Sequence, residues 1–221
     1  MDVKTAVKER RSIRSFKPDP VPQETLREIL EAARWSPSWG NTQPWELYVV
    51  TGDALEAFKK RNRQKCLDGE TPLSEIPMPE VWPDVLKKRY VDVGKGVLTA
   101  LSIARGDVEG RNRYYGDMFN LFDAPAMILV CLNKALCIEY AMLDVGLIVQ
   151  TICLLAHERG IGTCILAASV NHPQVVRDLL PIPEDRLIVI GMAMGYPDDA
   201  SPVNHFERQR APLKDWVTWV R

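Results

Sequence analysis

The chain has 221 residues, 46% of them hydrophobic and 26% charged, an ordinary globular balance with apolar material for one sizeable core or two small ones. Lys and Arg number 28 against 29 Asp and Glu, and the resulting net charge of -1 excludes bulk attraction to nucleic acid or to an anionic membrane. One α/β domain is the expectation, and any anion binding has to come from a local cluster.

In chain order, Asp2 is placed to cap a first helix running to about Arg11, and Pro22 opens a second with Leu26, Ile29, Leu30 and Ala33 on one face. Ser36-Pro37 ends it. Residues 45–51 (WELYVVT) read as a strand, and Asp53 as the cap of a charged helix from Ala54 to about Cys66. Between Asp68 and Pro83 the prolines 72, 77, 79 and 83 remove backbone donors, so this stretch is expected to be irregular. Helix resumes at Asp84, Gly106 to Gly116 reads as a polar break, and the interval 68–120 as an insertion or lid. Pro125 to Leu132 (PAMILVCL) reads as a buried strand. Glu139 to Arg159 reads as a helix apolar nearly all round, which has to be covered by its own sheet or by a second subunit. Gly160-Ile161-Gly162 stops it. A strand-like TCILAA, a short helix started by Asn171 and Pro173, and a buried strand from Arg186 to Met194 follow. Residues 201–221 read as an extended arm whose Trp216 and Trp219 need a surface to pack on.

The five cysteines are scattered and form no C-x-x-C, the N-terminus lacks a secretory pattern, and the longest uncharged run of the apolar helix, Val145 to Ala156, is short for a bilayer needing about 20 apolar residues. A cytoplasmic protein with no membrane partner is expected.

The densest charge lies in Lys8 to Lys17 (KERRSIRSFK), five cations to one anion. Arginine forks suit phosphate bidentately and Ser12 adds a hydroxyl donor, so the segment outlines an anion site; a solvated helix end is the plain alternative. Residues 36–45 (SPSWGNTQPW) crowd hydroxyls, amides and indoles before a strand, a composition that serves as an ordinary turn or presents donors to a heteroaromatic edge while an indole or proline covers its face.

With these two segments, the later GIGTCILAAS, LLPIPEDRLIVIGMAMGYP and RQRAPL follow in an order that resembles the FMN-dependent nitroreductase family. The resemblance covers the first fifty residues and the last eighty, while 68–120 is generic. It implies an α+β, three-layer α/β/α sandwich with a mixed, mainly antiparallel sheet, and a homodimer with flavin mononucleotide in clefts shared between the chains. Carried over by position, Arg10, Arg11, Ser12 and Arg14 would meet the phosphate, ribityl chain and pyrimidine edge, with Arg208 and Arg210 adding to the phosphate site. Pro37, Ser38, Trp39 and Asn41 would reach the flavin from the other subunit, and the peptides of Leu166, Ala167 and Ala168 would lie beside N5. Arg14 is the candidate for the cation beside N1 and O2, where negative charge develops on reduction. NAD(P)H would donate, and a small acceptor such as a nitroaromatic or quinone would use the same face in ping-pong turnover; enoyl reduction, dehalogenation and flavin breakdown are the family's other chemistries. Trp39-Gly40 stands where many relatives have small polar residues, and Ala167-Ala168 lacks their glycine or acidic residue, departures that bear on substrate choice.

Neither Gly94-Lys95-Gly96 nor Gly160-Ile161-Gly162 extends to a dinucleotide fingerprint, and no phosphate-loop motif occurs. His157, His172 and His205 are too scattered for a metal site; His157, at a helix C-terminus, is a favourable dipole partner. A non-catalytic module binding nucleic acid through the basic segment is disfavoured by the net charge and the lack of interleaved aromatics.

Overall fold

The computed structural model describes residues 1–221. Trp45–Thr51 (β1), Ala126–Asn133 (β2), Gly162–Leu166 (β3) and Arg186–Gly195 (β4) form one sheet in the order β1-β2-β4-β3, every adjacent pair antiparallel. The parallel component is a single bridge between Ser12 and Thr163. Side chains of β2 alternate between the sheet's two faces, so Met127, Leu129 and Cys131 join one buried cluster while Ala126, Ile128, Val130 and Leu132 join another. Gly52–Leu67 (α3), Val108–Phe119 (α5) and Pro173–Leu179 (α7) are associated with the first face; Gln23–Ala33 (α2) and Ile138–Glu158 (α6) cover the second. The result is the three-layer α+β arrangement.

Several boundaries differ from the sequence expectation for local reasons. The first helix, Val3–Glu9 (α1), is capped by Asp2 as expected but stops before Arg10, because the following residues leave to bridge β3 and the 196–198 loop. Asp53 lies inside the first turn of α3 rather than at its cap, where its charge still faces the helix N-terminus favourably. Gly106 to Gly116 is no break: Asp107 caps α5 by accepting the Gly110 N–H at 2.8 Å, and Gly116 fits closely against Arg63 and Leu67 of α3. His172, not Asn171, occupies the cap position of α7, and Asn171 instead accepts from the hydroxyl of Ser74 at 3.0 Å. The strand read as TCILAA ends at Leu166, and Ala167–Ser169 turn as a 3₁₀ segment.

Helix α6 is the one helix long and apolar enough to span a bilayer, with mean hydropathy 1.7, yet its Val145, Ile148, Val149, Ile152 and Ala156 are buried in the cluster on the second face of the sheet. Its own fold does not cover it on every side. Tyr140, Leu143 and Leu147 form an exposed apolar row at helical spacing, and Gly160 (φ +71°) supplies the left-handed residue that closes its C-terminus. In the C-terminal arm, Trp216 and Trp219 are also exposed.

The irregular segment before Asp84–Ala100 (α4) is anchored by Leu73 and Ser74 on Asn171 and by Glu75. Glu75 accepts from Arg177 Nε and Nη2 at 3.0 and 2.7 Å and from the Ile188 backbone N–H at 2.7 Å, with both charged side chains less than a fifth exposed. Removing Glu75 leaves a largely buried guanidinium with carbonyl partners but no countercharge, and a strand N–H unpaired. Glu75→Ala is expected to cost about 2–3 kcal/mol, read as a fall in Tm of about 4–12 °C by thermal unfolding, with Glu75→Gln less affected.

Candidate functional site

The structure brings the N-terminal and C-terminal arginines together. Ile13 donates its N–H to the Thr163 carbonyl at 2.9 Å, laying residues 12–14 along the outer edge of β3. Arg208 then donates to the carbonyls of Arg10 and Lys8, and Arg11 donates to the carbonyl of Phe206. Arg14 lies with its guanidinium carbon 5.7 Å from the Phe206 ring centroid and donates to the Ser12 carbonyl at 3.3 Å. Arg210 belongs to the same electrostatic neighbourhood: it acts on Arg208 together with Arg10 and Arg11.

These guanidiniums find carbonyls and one another rather than carboxylates. Burial, then repulsion from Arg14, pushes Arg11 below the usual arginine range; burial, then Arg11, Arg210 and Arg10, does the same to Arg208. Arg10 Nε is buried without a partner. A cluster of like charges held in this way is stabilised by an anion, and a phosphate dianion carries the acceptor oxygens for several forks.

Asn204, which the sequence did not single out, sets the direction of the basic segment. Its side chain is 2% exposed; it accepts the Arg14 N–H at 2.8 Å and donates to the carbonyls of Ser15 and Asp198 at 2.8 and 3.0 Å. Arg14 and Ser12 flank Cys164, whose thiol burial pushes up to about 11 against their opposing influence. Tyr114 of α5 faces the same space; burial raises its hydroxyl while Arg14 acts in the other direction. A cleft of about 520 Å³ adjoins the cluster, passing Arg10, Arg11, Thr163, Tyr196 and Asn204. Ser12, Arg14 and the 166–168 turn lie outside it.

That turn sits at the far end of β3, about 10 Å beyond Thr163 at the rise of an extended strand. Leu166 and Ala168 are buried, and Ala167 is half-buried. Strand β3 therefore carries the arginine cluster at one end and the turn at the other.

Pro37, Ser38, Trp39 and Asn41 are placed elsewhere. Gly40, Asn41 and Gln43 all have φ between +48° and +56°, a strained path for Gln43 in particular. The loop is held by the Ser38 hydroxyl, which accepts the Gln43 N–H at 2.9 Å, and by buried Asp144 of α6, which accepts the Trp39 N–H at 3.0 Å. Trp39 leans on Tyr140 with ring centroids 6.2 Å apart and stays 69% exposed. Nothing in the sequence pointed to Asp144 as this anchor.

The two groups of residues dock on opposite parts of α6. The loop meets Tyr140 and Asp144, whereas Glu9, next to the basic segment, lies 3.9 Å from His157, and the N-terminal amine lies 3.7 Å from Glu158. Asp144 and His157 are separated by about 20 Å of helix at 1.5 Å per residue.

Comparison with known proteins identifies the family. A model described as the nitroreductase family matches residues 7–196. The chain is 34% identical over 222 residues to a chloronitrobenzene nitroreductase of Comamonas testosteroni, covering 97% of this chain and 95% of the relative. It is 34% identical over 218 residues to a 4-nitrobenzoate reductase of Nocardioides sp. strain LMS-CY, covering 97% and 88%. The solved structure of the FMN-dependent nitroreductase NfnB from Mycobacterium smegmatis in complex with NADPH superimposes with a TM-score of 0.92 at 30% identity, covering 99% and 97% of the two chains.

Proposed function

The chain belongs to the nitroreductase family, and from that premise we propose that it is an FMN-dependent oxidoreductase that passes electrons from NAD(P)H to a small acceptor, a nitroaromatic or a quinone, in alternating half-reactions. The observation that carries this reading is the arginine cluster at the head of β3: cations partly withdrawn from water, with Arg10 Nε unpartnered. The residues present fit the cofactor, which when bound supplies hydride acceptance and release at N5.

Arg10, Arg11, Arg208 and Arg210 hold the phosphate, and Ser12 reaches the ribityl chain. Arg14 faces the pyrimidine edge, where a fixed cation stabilises charge as it develops without reorganising at the moment of reaction. The backbone of Leu166, Ala167 and Ala168 supports the ring near N5, so a side-chain acid or base is not required there. Pro37, Ser38, Trp39 and Asn41 come from the other protomer of a homodimer and close the ring side, excluding water and narrowing the acceptor space through the indole. What supports pairing is the exposed row Tyr140, Leu143 and Leu147 beside Trp39, an apolar stripe that a second copy covers about a two-fold axis. In this single domain, residues 68–120 are the insertion, whose α5 packs on α3 as part of the body while the stretch before it serves as the lid, and 201–221 form an arm. The five free thiols suit a reducing compartment, and the cytoplasm is the proposed place of work.

Heat release of the cofactor from purified protein, followed by identification, tests the assignment. FMN is the expected product. FAD, or no flavin after attempted reconstitution, overturns the arginine site.

A further inference from the structure

We propose that Asn62, in the middle of α3 and outside every segment assigned above, is a positioning residue for flavin reduction because it fixes the backbone turn that follows β3. This rests on the reading that the 166–168 peptides lie beside the flavin N5.

The turn has three successive carbonyls, and each is held by a different group. Leu166 O accepts from the Ser169 hydroxyl at 2.5 Å, Ala167 O accepts from the Val170 N–H at 2.9 Å, and Ala168 O accepts from Asn62 Nδ2 at 3.0 Å. The peptide unit is planar, so holding a carbonyl sets the direction of the next residue's N–H; the three bonds together orient the amides of residues 167, 168 and 169. Two of the bonds are internal to the turn. Asn62 alone comes from another element, so it alone ties the turn to the body of the protein by a side chain.

Asn62 is fully buried, and the same Nδ2 also donates to Phe119 O at 2.7 Å, where α5 ends. Its Oδ1 is buried with no partner. Leaving an amide oxygen unsatisfied in a core is costly, and an apolar side chain in its place would instead deprive the Phe119 and Ala168 carbonyls of this donor. What the asparagine adds is direction: one amide group aimed at two backbone carbonyls. The opposite side of the turn is equally restricted, since a Cβ at Gly191 of β4 would come within 2.2 Å of the Ser169 oxygen. The turn is thus wedged between a glycine and an amide.

The test compares Asn62→Leu with Ile152→Ala, a cavity-forming change on the sheet's other face, using full-length protein as purified. Ile152 is fully buried and takes no part in the proposed site, so it controls for general loss of stability. Asn62→Leu is expected to raise hydrogen exchange at the 167–170 amides about tenfold while the sheet core stays protected. Flavin reduction by NAD(P)H in stopped flow is expected to fall about tenfold or more, because small misplacements cost this much, with FMN affinity held within about twofold by the arginines. Asn62→Ser, which leaves room for a water to bridge the carbonyls, carries the same expectation at smaller size and serves if the leucine variant does not fold. Equal slowing of reduction in Ile152→Ala, or wild-type exchange at the turn in both Asn62 variants, overturns the proposal. Absence of flavin from the wild type overturns the assigned function instead, and the exchange measurement still reports on the clamp.

Discussion

Arg14→Ala is expected to slow reduction of the bound flavin by about a hundred- to a thousandfold while FMN affinity changes little, the magnitude seen when one preorganised donor is lost from a site of developing charge. Arg11→Ala is expected to do the reverse, weakening FMN by about ten- to a hundredfold and leaving reduction of the remaining bound flavin near wild type, since a charge-assisted bond to a permanent phosphate serves both states equally. The structure gives the two arginines different settings. Arg14 is aimed by Asn204 at its own N–H and lies beside Cys164, Tyr114 and the Phe206 ring. Arg11 instead donates to the Phe206 carbonyl and lies in the neighbourhood of Arg208. Stopped-flow reduction and FMN titration of both variants separate the roles; equal losses in both quantities for both variants would show the roles to be wrongly divided.

A second large effect concerns which chains build one site. Arg11→Glu in one preparation, and Trp39→Ala with Asn41→Ala in another, are each expected to abolish turnover. Unfolded and refolded together in equal amounts, they are expected to regain activity in about one site in four: random pairing makes about half the dimers mixed, and each mixed dimer holds one doubly damaged and one intact site. The separate placement of the two segments along α6, the loop held by Asp144 and the basic segment lying near His157, motivates this. Differently tagged chains confirm that mixed dimers have formed, and no recovery under that condition would mean that each chain completes its own site.

The strands were legible because their patterns are local. WELYVVT begins and ends as read, and the apolar run after Pro125 matches a strand with both faces covered. The basic segment was legible as charge density. What the sequence could not supply was long-range: that Asn204 aims Arg14, that Asp144 anchors Trp39, and that Asn62 meets Ala168 across 106 residues. These are single amides or carboxylates in unremarkable surroundings, and only the fold brings their partners near. The missed helix Val108–Phe119 failed for a related reason, since two glycines lower its intrinsic preference, whereas the Asp107 cap and packing on α3 restore it.

In the proposed homodimer, the separation along α6 of the two residue groups would have a thermodynamic consequence. A ligand gripped by the arginines of one protomer and roofed by the loop of the other binds the assembled pair better than either chain alone, so cofactor and subunit association are linked. Saturation with FMN tightens the pair by the same factor by which pairing tightens FMN. On that proposal, dilution is expected to strip subunits and cofactor together, and a chain newly released from synthesis to acquire a firm hold on its flavin only when it meets its copy.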